Sequence, residues 1–400
     1  MTAGGSLPGM TARAAVVWNE RFLGYDLGGH HPLDPVRLDL TIRLATELGV
    51  LDGVELLDAE PAPDAEIERV HAAEYLAAVR AAPAAGHDLT HGLGTPDNPV
   101  FDRMHEASAL VVGASLRAAE RIASGAVDRA VNIAGGLHHA MRDHAAGFCV
   151  YNDAAVAISW LLDHGFERVA YVDVDVHHGD GVQAAFYADP RVLTVSLHQH
   201  PMTLFPATGY PTEVGDGDAK GTAVNVALPP GTRDSGWLRA FHAVVPSVLR
   251  AFRPQVLVTQ CGVDSHVEDP LADLRLSVDG HRTAFRALRE LAGEVAGGKW
   301  LALGGGGYAL FRVVPRSWTH LLATQLDRDV DPHRPLPAGW LAHVARLTGD
   351  LPLPTSMTDE ADVEFRPWSG ETLSDLDRTI LATRRAVFPL HGLDPDDPRD

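Results

Sequence analysis

Tyr171-Val-Asp-Val-Asp-Val-His-His-Gly-Asp180 holds three aspartates and two histidines in ten residues, directly after an apolar run. The apolar run predicts a strand that is buried on both faces of a sheet. We expect this strand to continue to the glycine-containing turn at residues 179–181. Because side chains alternate along a strand, Asp173, Asp175 and His177 would then project to one side. Two carboxylates and an imidazole can bind a divalent cation such as zinc, whereas the alternative interpretation is a hydrogen-bonded polar turn.

Segments typical of strands and of helices alternate along the chain on either side of this stretch. The predicted strands cover residues 14–18, 130–134, 168–172, 191–197, 255–259 and 299–303. The predicted helices cover residues 37–48, 70–79, 106–122, 154–164, 237–251, 281–296 and 374–386. This alternation predicts an α/β fold with a mostly parallel central sheet and helices on both faces. Ligands of such sheets bind outside the carboxyl ends of the strands. Four polar clusters, around His138, Asp175, Asp264 and Tyr308, each follow a predicted strand and can therefore meet there.

The domain organisation is expected to be simple. Residues 1–13 are small and polar and predict a flexible N-terminus. Residues 14–325 carry the alternating elements and predict a single catalytic domain. Residues 326–400 begin with a segment rich in Asp, Pro and Arg and have too few apolar runs for a core of their own. We expect them to form a C-terminal extension that packs on the catalytic domain.

The charge and the composition of the chain limit its partners. The net charge is −20, which argues against direct binding of nucleic acid and favours a cationic substrate such as a histone tail. There are only two cysteines, Cys149 and Cys261, which argues against a disulfide framework and is typical of a reducing cytosol. No run of eighteen apolar residues occurs, so we expect no membrane span and a cytoplasmic location.

Asp264 follows a predicted strand, as Asp175 does, and is therefore the natural third ligand of a metal site. A site of Asp175, His177 and Asp264 would leave one coordination position open, as a catalytic zinc requires. A lone aspartate after a strand is more often a helix cap or a turn residue, so this role depends on the neighbouring cluster.

His138 and His139 follow another predicted strand, and Asp173 and Asp180 are left over once the metal is bound. Two aspartates and two histidines predict two Asp–His dyads, in which the carboxylate orients the imidazole and raises its basicity. The sequence alone leaves open whether His178 takes one of these places.

The glycines of residues 304–307 and the following Tyr308 allow two interpretations. A glycine-rich loop can bind phosphate, but this one lacks the Lys-Ser/Thr ending of a P-loop and the spacing of a dinucleotide fingerprint. The phenol of Tyr308 can instead donate a hydrogen bond to an oxyanion beside a metal, or pack in the core. Phe148 and Phe205 both lie on predicted loops and can wall a narrow apolar channel.

Five motifs together resemble the zinc-dependent histone deacetylase superfamily, and the bacterial acetoin-utilisation branch in particular. They are Gly135-Gly-Leu-His-His139, Gly147-Phe-Cys-Val-Tyr-Asn-Asp153, Asp173-Val-Asp-Val-His-His-Gly-Asp-Gly181, Cys261-Gly-Val-Asp264 and Gly304-Gly-Gly-Gly-Tyr308. The similarity implies an arginase/deacetylase fold that hydrolyses acetyl-lysine with a bound Zn²⁺ or Fe²⁺.

The resemblance also implies the role of each residue. The metal would be held by Asp175, His177 and Asp264. His139 with Asp180 would act as general base and then acid, His138 with Asp173 would tune the electrostatics, and Tyr308 would bind the oxyanion. The acetyl-lysine tunnel and its rim would be formed by Gly147, Phe148, Phe205, Asp97 and Leu271. A structural K⁺ would lie near Asp173, Asp175, His177, Ser196 and Leu197, and Arg37 resembles the arginine beneath the site. His266 lies where the related arginases have a further metal ligand, although the first cluster favours a single metal.

The sequence therefore predicts a zinc-dependent deacetylase whose substrate is an acetylated protein or peptide. A second hypothesis is deacetylation of acetylpolyamines or other small amides by the same residues. A third is a catalytically silent module that binds acetyl groups. Tyr308 and the two dyads argue against the third hypothesis, because a binding module does not need to transfer protons.

Overall fold

The computed structural model describes residues 13–29, 31–349 and 351–400. The predicted flexible N-terminus of residues 1–13 lies outside the described residues except for its last position. The division at residue 325 between a catalytic domain and an extension stays a prediction.

The described residues contain one eight-stranded sheet in which every pair of neighbouring strands is parallel. The strands are β1 (Ala14–Val17), β2 (Leu56–Leu57), β3 (Arg129–Asn132), β4 (Val169–Asp173), β5 (Val192–Gln199), β6 (Ala223–Leu228), β7 (Val256–Gln260) and β8 (Trp300–Leu303). Their spatial order is β2-β1-β3-β8-β7-β4-β5-β6. The prediction of a mostly parallel α/β sheet is thus confirmed.

Helices surround this sheet and cover it. They are α1 (Val36–Glu47), α2 (Asp64–Ile67), α3 (Ala73–Ala85), α4 (Met104–Ala123), α5 (Asp153–Asp163), α6 (Asp180–Phe186), α7 (Asp234–Phe252), α8 (Val278–Val295), α9 (Val314–Gln325), α10 (Ala338–Thr348) and α11 (Asp375–Val387). Every residue of β3 to β8 is buried, as expected for strands that have helices against both faces. Among the described residues, none of the helices combines the length and the apolar character needed to cross a membrane.

The strand that was expected to reach the turn at residues 179–181 is shorter than predicted, since β4 ends at Asp173. Asp173 itself ends the strand, because its side-chain Oδ1 accepts the N–H of Asp175 at 3.2 Å. Such a bond to the backbone two residues on competes with continued strand pairing. Asp175 and His177 therefore lie on a loop, and strand alternation does not explain their orientation.

One predicted helix also begins later than its sequence pattern suggests. The segment 70–79 was expected to be helical throughout, but α3 begins at Ala73 because Ala72 has an extended backbone with ψ of 142°. The N–H of Ala72 donates to Arg142 O at 2.9 Å, which holds it outside the helix.

The part of the chain after residue 325 contacts several helices of the preceding part. Trp340, on α10, donates its indole N–H to Leu40 O of α1 at 2.9 Å. Arg384, on α11, donates to Ala243 O of α7 at 2.6 Å. Residues of α10 and α11 thus form hydrogen bonds with α1 and α7, while the description of this part as an extension stays a prediction.

Candidate active site

Three side chains meet beyond the carboxyl ends of β4 and β7. The ligand-type atoms of Asp175, His177 and Asp264 all lie within 4.8 Å of one another, and each residue is buried. His177 Nδ1 is 3.1 Å from Asp175 Oδ1 and 3.0 Å from Asp264 Oδ2. The structure therefore brings together the three residues that the sequence predicts as metal ligands.

The donor set fits a divalent cation. Burial, followed by repulsion from Asp175, raises the pKa of the Asp264 carboxyl group. Two buried carboxylates beside one imidazole need a positive charge between them, because an isolated buried anion is costly. Two oxygens and one nitrogen are ligands that Zn²⁺ and Fe²⁺ both accept.

Groups that the sequence analysis did not single out hold Asp175 in place. Gln260 Nε2 donates to Asp175 Oδ2 at 2.6 Å, and the N–H of Gly306 donates to the same oxygen at 2.8 Å. Gln260 Oε1 in turn accepts the N–H of Gly262 at 2.7 Å. In the sequence, the only signal for Gln260 was that a polar side chain ends the mainly apolar strand β7.

The two histidines predicted to form dyads do so with the two aspartates. His138 Nδ1 donates to Asp173 Oδ2 and His139 Nδ1 donates to Asp180 Oδ1, each at 2.7 Å. The two Nε2 atoms are 3.0 Å apart. His178 takes neither place, because its ring nitrogens contact Thr208 Oγ1 and Gln183 Oε1.

The two imidazoles differ in their electrostatic surroundings. Burial lowers the pKa of His138, but the carboxylates of Asp173 and Asp175 outweigh burial and raise that pKa to about 9. Burial and then repulsion from His138 lower the pKa of His139 to about 4, against the opposing effect of Asp180. His139 is consequently the less basic member of the pair, and its Nε2 lies 3.0 Å from His138 Nε2.

The loop that carries the two histidines is held by the start of α5. Asn152 donates its side-chain amide to the carbonyl oxygens of His138 and Ala140. The carboxylate of Asp153 accepts the N–H groups of Gly136 and Leu137. Both residues lie in the motif of residues 147–153, and neither was predicted to have a role of its own.

The backbone groups of the glycine-rich loop before Tyr308 form hydrogen bonds with side chains of the protein. Tyr308 donates its N–H to Asp269 Oδ2 at 2.8 Å, and the buried Arg37 donates to the carbonyl oxygens of Gly305 and Gly307 at 2.8 and 3.1 Å. Because the N–H of Gly306 is bonded to Asp175, the loop is built around the carboxylate cluster rather than around a phosphate. Burial and then Asp264 raise the pKa of the Tyr308 phenol well above its usual value, so the phenol keeps its proton.

Aromatic rings surround the approach to these groups. The Phe205 ring lies 5.0 Å from His139, and the Phe148 ring lies 5.6 Å from Tyr308, each in an edge-on arrangement. Gly147 lies between them, where a Cβ atom would be 2.4 Å from His139 Cδ2 and 2.9 Å from Phe205 Cε1. An alanine at residue 147 would therefore collide with both rings.

Each of the two predicted rim residues is linked to the site through one other residue: Asp97 to Phe148 through His31, and Leu271 to Tyr308 through Asp269. Asp97 is exposed, and its carbonyl oxygen contacts His31 Nε2 at 3.2 Å. The His31 ring lies 4.4 Å from that of Phe148. Leu271 donates its N–H to Asp269, the residue that also holds Tyr308. His31 was not singled out from the sequence.

The residues predicted to bind potassium lie on β4, β5 and the loop after β4. Asp173 is the register partner of Ser196, and Leu197 follows on the same strand. Ser196 Oγ contacts His198 Nδ1 at 2.9 Å. His266 lies apart from the carboxylate cluster, with one ring nitrogen bonded to Asp359 and the other to the N–H of Glu268.

Comparison with known proteins gives consistent matches over most of the chain. A family model described as the histone deacetylase domain matches residues 31–325. The chain is 38% identical to the acetoin utilization protein AcuC of Bacillus subtilis, over 87% of this chain and 90% of that protein. It is 35% identical to the AcuC protein of Staphylococcus aureus strain MSSA476, over 90% of this chain and 94% of that protein.

Solved structures agree with these sequence matches. The crystal structure of an HDAC homolog complexed with SAHA superposes with a TM-score of 0.81 at 30% identity, covering 93% of this chain and all of that chain. An HDAC homolog from Aquifex aeolicus gives a TM-score of 0.79 at 29% identity, again over 93% of this chain and all of that one. This chain therefore belongs to the histone deacetylase family and has the deacetylase hydrolase activity of that family.

Proposed function

We propose that this protein is a metal-dependent hydrolase that removes acetyl groups from lysine side chains of proteins. One observation carries the proposal: the buried cluster of Asp175, His177 and Asp264 lies beside His139, whose ring is 5.8 Å from that of His177. The rings of Phe205 and Phe148 pack against His139 and Tyr308. The cluster, His139 and Tyr308 are the groups that hydrolysis of an amide by an activated water requires.

Asp175, His177 and Asp264 would hold the metal, which we propose to be Zn²⁺, with Fe²⁺ as the alternative. When bound, such an ion lowers the pKa of water and polarises the carbonyl of the substrate. Gln260 and Gly306 would keep the Asp175 carboxylate oriented for this role, since both donate to its Oδ2.

His139 would act as the general base and then as the general acid. Its Nδ1–H is fixed on Asp180, so Nε2 points away from that carboxylate and can take a proton from water and return it to the leaving amine nitrogen. His138, paired with Asp173, would tune the electrostatics of the site, since its proximity lowers the pKa of His139.

Tyr308 would donate its phenolic proton in a hydrogen bond to the oxygen of the acetyl carbonyl as negative charge develops there. The bond from its N–H to Asp269 fixes the backbone, so the side chain needs little reorganisation. Phe148 and Phe205 would enclose the apolar part of an acetyl-lysine chain, and Gly147 would leave room for it.

Asp97 and Leu271 would contact the substrate backbone at the rim. A structural K⁺ would be held near Asp173, Asp175, His177, Ser196 and Leu197, which are close together at the ends of β4 and β5. We further propose a cytoplasmic location without direct binding of nucleic acid, supported by the two cysteines and the net charge of −20.

The net charge also favours a cationic substrate, and both a lysine-rich peptide and an acetylpolyamine meet that description. The test is acetate release from an acetyl-lysine peptide and from an acetylated polyamine, each with and without a chelator. We expect chelator-sensitive turnover with the higher kcat/KM on the peptide. Preferential turnover of the polyamine would reassign the substrate, and absence of turnover on both would refute the proposed activity.

A further inference from the structure

A carboxylate from the part of the chain after residue 325 reaches the loop that carries Asp264. Asp359 Oδ2 accepts the Nε2–H of His266 at 2.9 Å and the N–H of Val278 at 2.8 Å. Asp359 Oδ1 forms an ion pair with Arg316 at 2.7 Å. Asp359 therefore joins the loop after β7 to the first residue of α8 and to α9.

His266 is fixed in one orientation by this arrangement. Its Nδ1 accepts the N–H of Glu268 at 3.0 Å, so the proton is on Nε2 and is directed at Asp359. His266 and Arg316 each have 1% of their surface exposed. Loss of the Asp359 carboxylate would remove a hydrogen-bond partner from both buried groups, which is costly.

His266 lies between two functional parts of the same loop. Asp264, two residues earlier, is a proposed metal ligand. The carbonyl oxygen of His266 accepts the N–H of Asp269 at 2.9 Å, and Asp269 holds the N–H groups of Tyr308 and Leu271. The position of His266 thus influences the metal ligand, the phenol and the rim together.

The segment that carries Asp359 is itself tied down. Thr358 Oγ1 donates to the carboxylate of Asp279 at 2.7 Å, and the N–H groups of Asp359 and Ala361 donate to the same carboxylate at 3.0 and 3.1 Å. Arg316 adds a hydrogen bond to Thr358 O at 3.1 Å. A carboxylate anchored in this way can set the position of the group that it binds.

We propose that Asp359 is a positioning residue of the active site, which through His266 orders the loop of residues 264–271 and hence the metal ligand Asp264. This inference rests on the proposed metal site. If the inference is right, the segment around residue 359 supports the active site, although this segment lies outside the matched family domain of residues 31–325.

The experiment compares Asp359→Asn with His266→Ala, His266→Gln and the control Asp362→Asn. Asp362 is an exposed carboxylate on the same segment. Metal-free protein is titrated with Zn²⁺ against a competing chelator, and thermal unfolding is followed in the same metal-free state. We expect Asp359→Asn and His266→Ala each to weaken Zn²⁺ binding about tenfold, as losses of supporting contacts around a metal site do. His266→Gln keeps a donor for Asp359 and should retain more of the affinity.

With saturating Zn²⁺, Asp359→Asn should lower kcat on an acetyl-lysine peptide more than it changes KM. Asp362→Asn should match the wild type in every measurement. A lowered unfolding temperature with wild-type Zn²⁺ affinity in the folded variants would reduce Asp359 to a structural role and overturn the inference. If Asp359→Asn does not fold, His266→Ala decides, because it leaves the pair of Asp359 and Arg316 intact. A wild-type protein without Zn²⁺ affinity would overturn the proposed metal site together with this inference.

Discussion

Replacing Gly306 by alanine is expected to remove metal binding without unfolding the protein. A Cβ atom at this position would lie 1.9 Å from Asp264 Oδ2 and 2.9 Å from Asp175 Oδ2, whereas ordinary contact begins at 3.4 Å. Either the Asp264 carboxylate or the loop must therefore move by about 1.5 Å, several times the roughly 0.2 Å that a metal–ligand distance tolerates. The loop cannot retreat freely, since Gly306 donates to Asp175 and accepts the N–H of Val263 at 2.8 Å.

The backbone of Gly306 is not left-handed, so the expected effect is a steric displacement of the ligands and not backbone strain. We expect Zn²⁺ affinity to fall by more than about 100-fold, beyond the loss that follows removal of a supporting contact. The assay is a competition titration of metal-free protein, with circular dichroism as a check of the fold. Gly24→Ala is the matched control, because a Cβ there meets no atom within 4 Å. Unchanged Zn²⁺ affinity in Gly306→Ala would show that the ion is not held by this carboxylate cluster.

Three further perturbations have defined outcomes. Tyr308→Phe should lower kcat on an acetyl-lysine peptide by about 10²- to 10³-fold with an unchanged unfolding temperature, as for loss of one oxyanion donor; equal turnover would exclude the phenol from the mechanism. Burial lowers the pKa of both His71 and His320 from the ordinary value of 6.5 to about 4. Between these two pH values the unfolded chain binds more protons than the folded chain. The free energy of unfolding should therefore fall as the pH drops from about 6.5 to 4. Thermal unfolding against pH measures this, and His71→Asn should flatten the slope. Arg384→Met should lower the free energy of unfolding in urea by more than about 3 kcal/mol. The reason is that the Arg384 guanidinium lies against two aromatic rings and donates to five backbone oxygens. A smaller decrease would mean that the unfolded chain forms equally good hydrogen bonds with water.

The sequence was sufficient to predict the parallel sheet and the proximity of Asp175, His177 and Asp264, because both parts of this cluster follow an apolar strand; the roles of these residues stay predictions. It was less informative where tertiary contacts decide the local structure. β4 ends early because the Asp173 side chain bonds to the backbone, and no periodicity reveals that. β6 was not predicted, because its six residues are apolar except for Asn225 and show no alternation. The helix α10 lies in a proline-rich region where pattern arguments are weak.

Supporting residues were harder to predict than the ligands for a physical reason. Gln260, Asn152 and Asp269 act through hydrogen bonds to backbone groups or carboxylates that are distant in sequence. Asp359 contacts a residue 93 positions away, which no spacing argument can anticipate. The ability of a side chain to bind a metal is evident from its residue type. The role of a supporting residue depends on which backbone groups and carboxylates lie next to it in the folded protein.

The order of the strands explains how four separate clusters form one centre. β3, β8, β7 and β4 are consecutive neighbours in the sheet, and their last residues, Asn132, Leu303, Gln260 and Asp173, are in register with one another. The four loops therefore start from one line across the sheet and carry the histidine pair, the tyrosine and the two halves of the carboxylate cluster. Asp175 and His177 follow β4, and Asp264 follows β7, which is paired directly with β4. A shift of either strand along the other would therefore move Asp264 away from Asp175 and His177. The hydrogen-bonded register of β4 and β7 is thus a condition for the carboxylate cluster, and hence for the proposed metal binding, as well as for the fold.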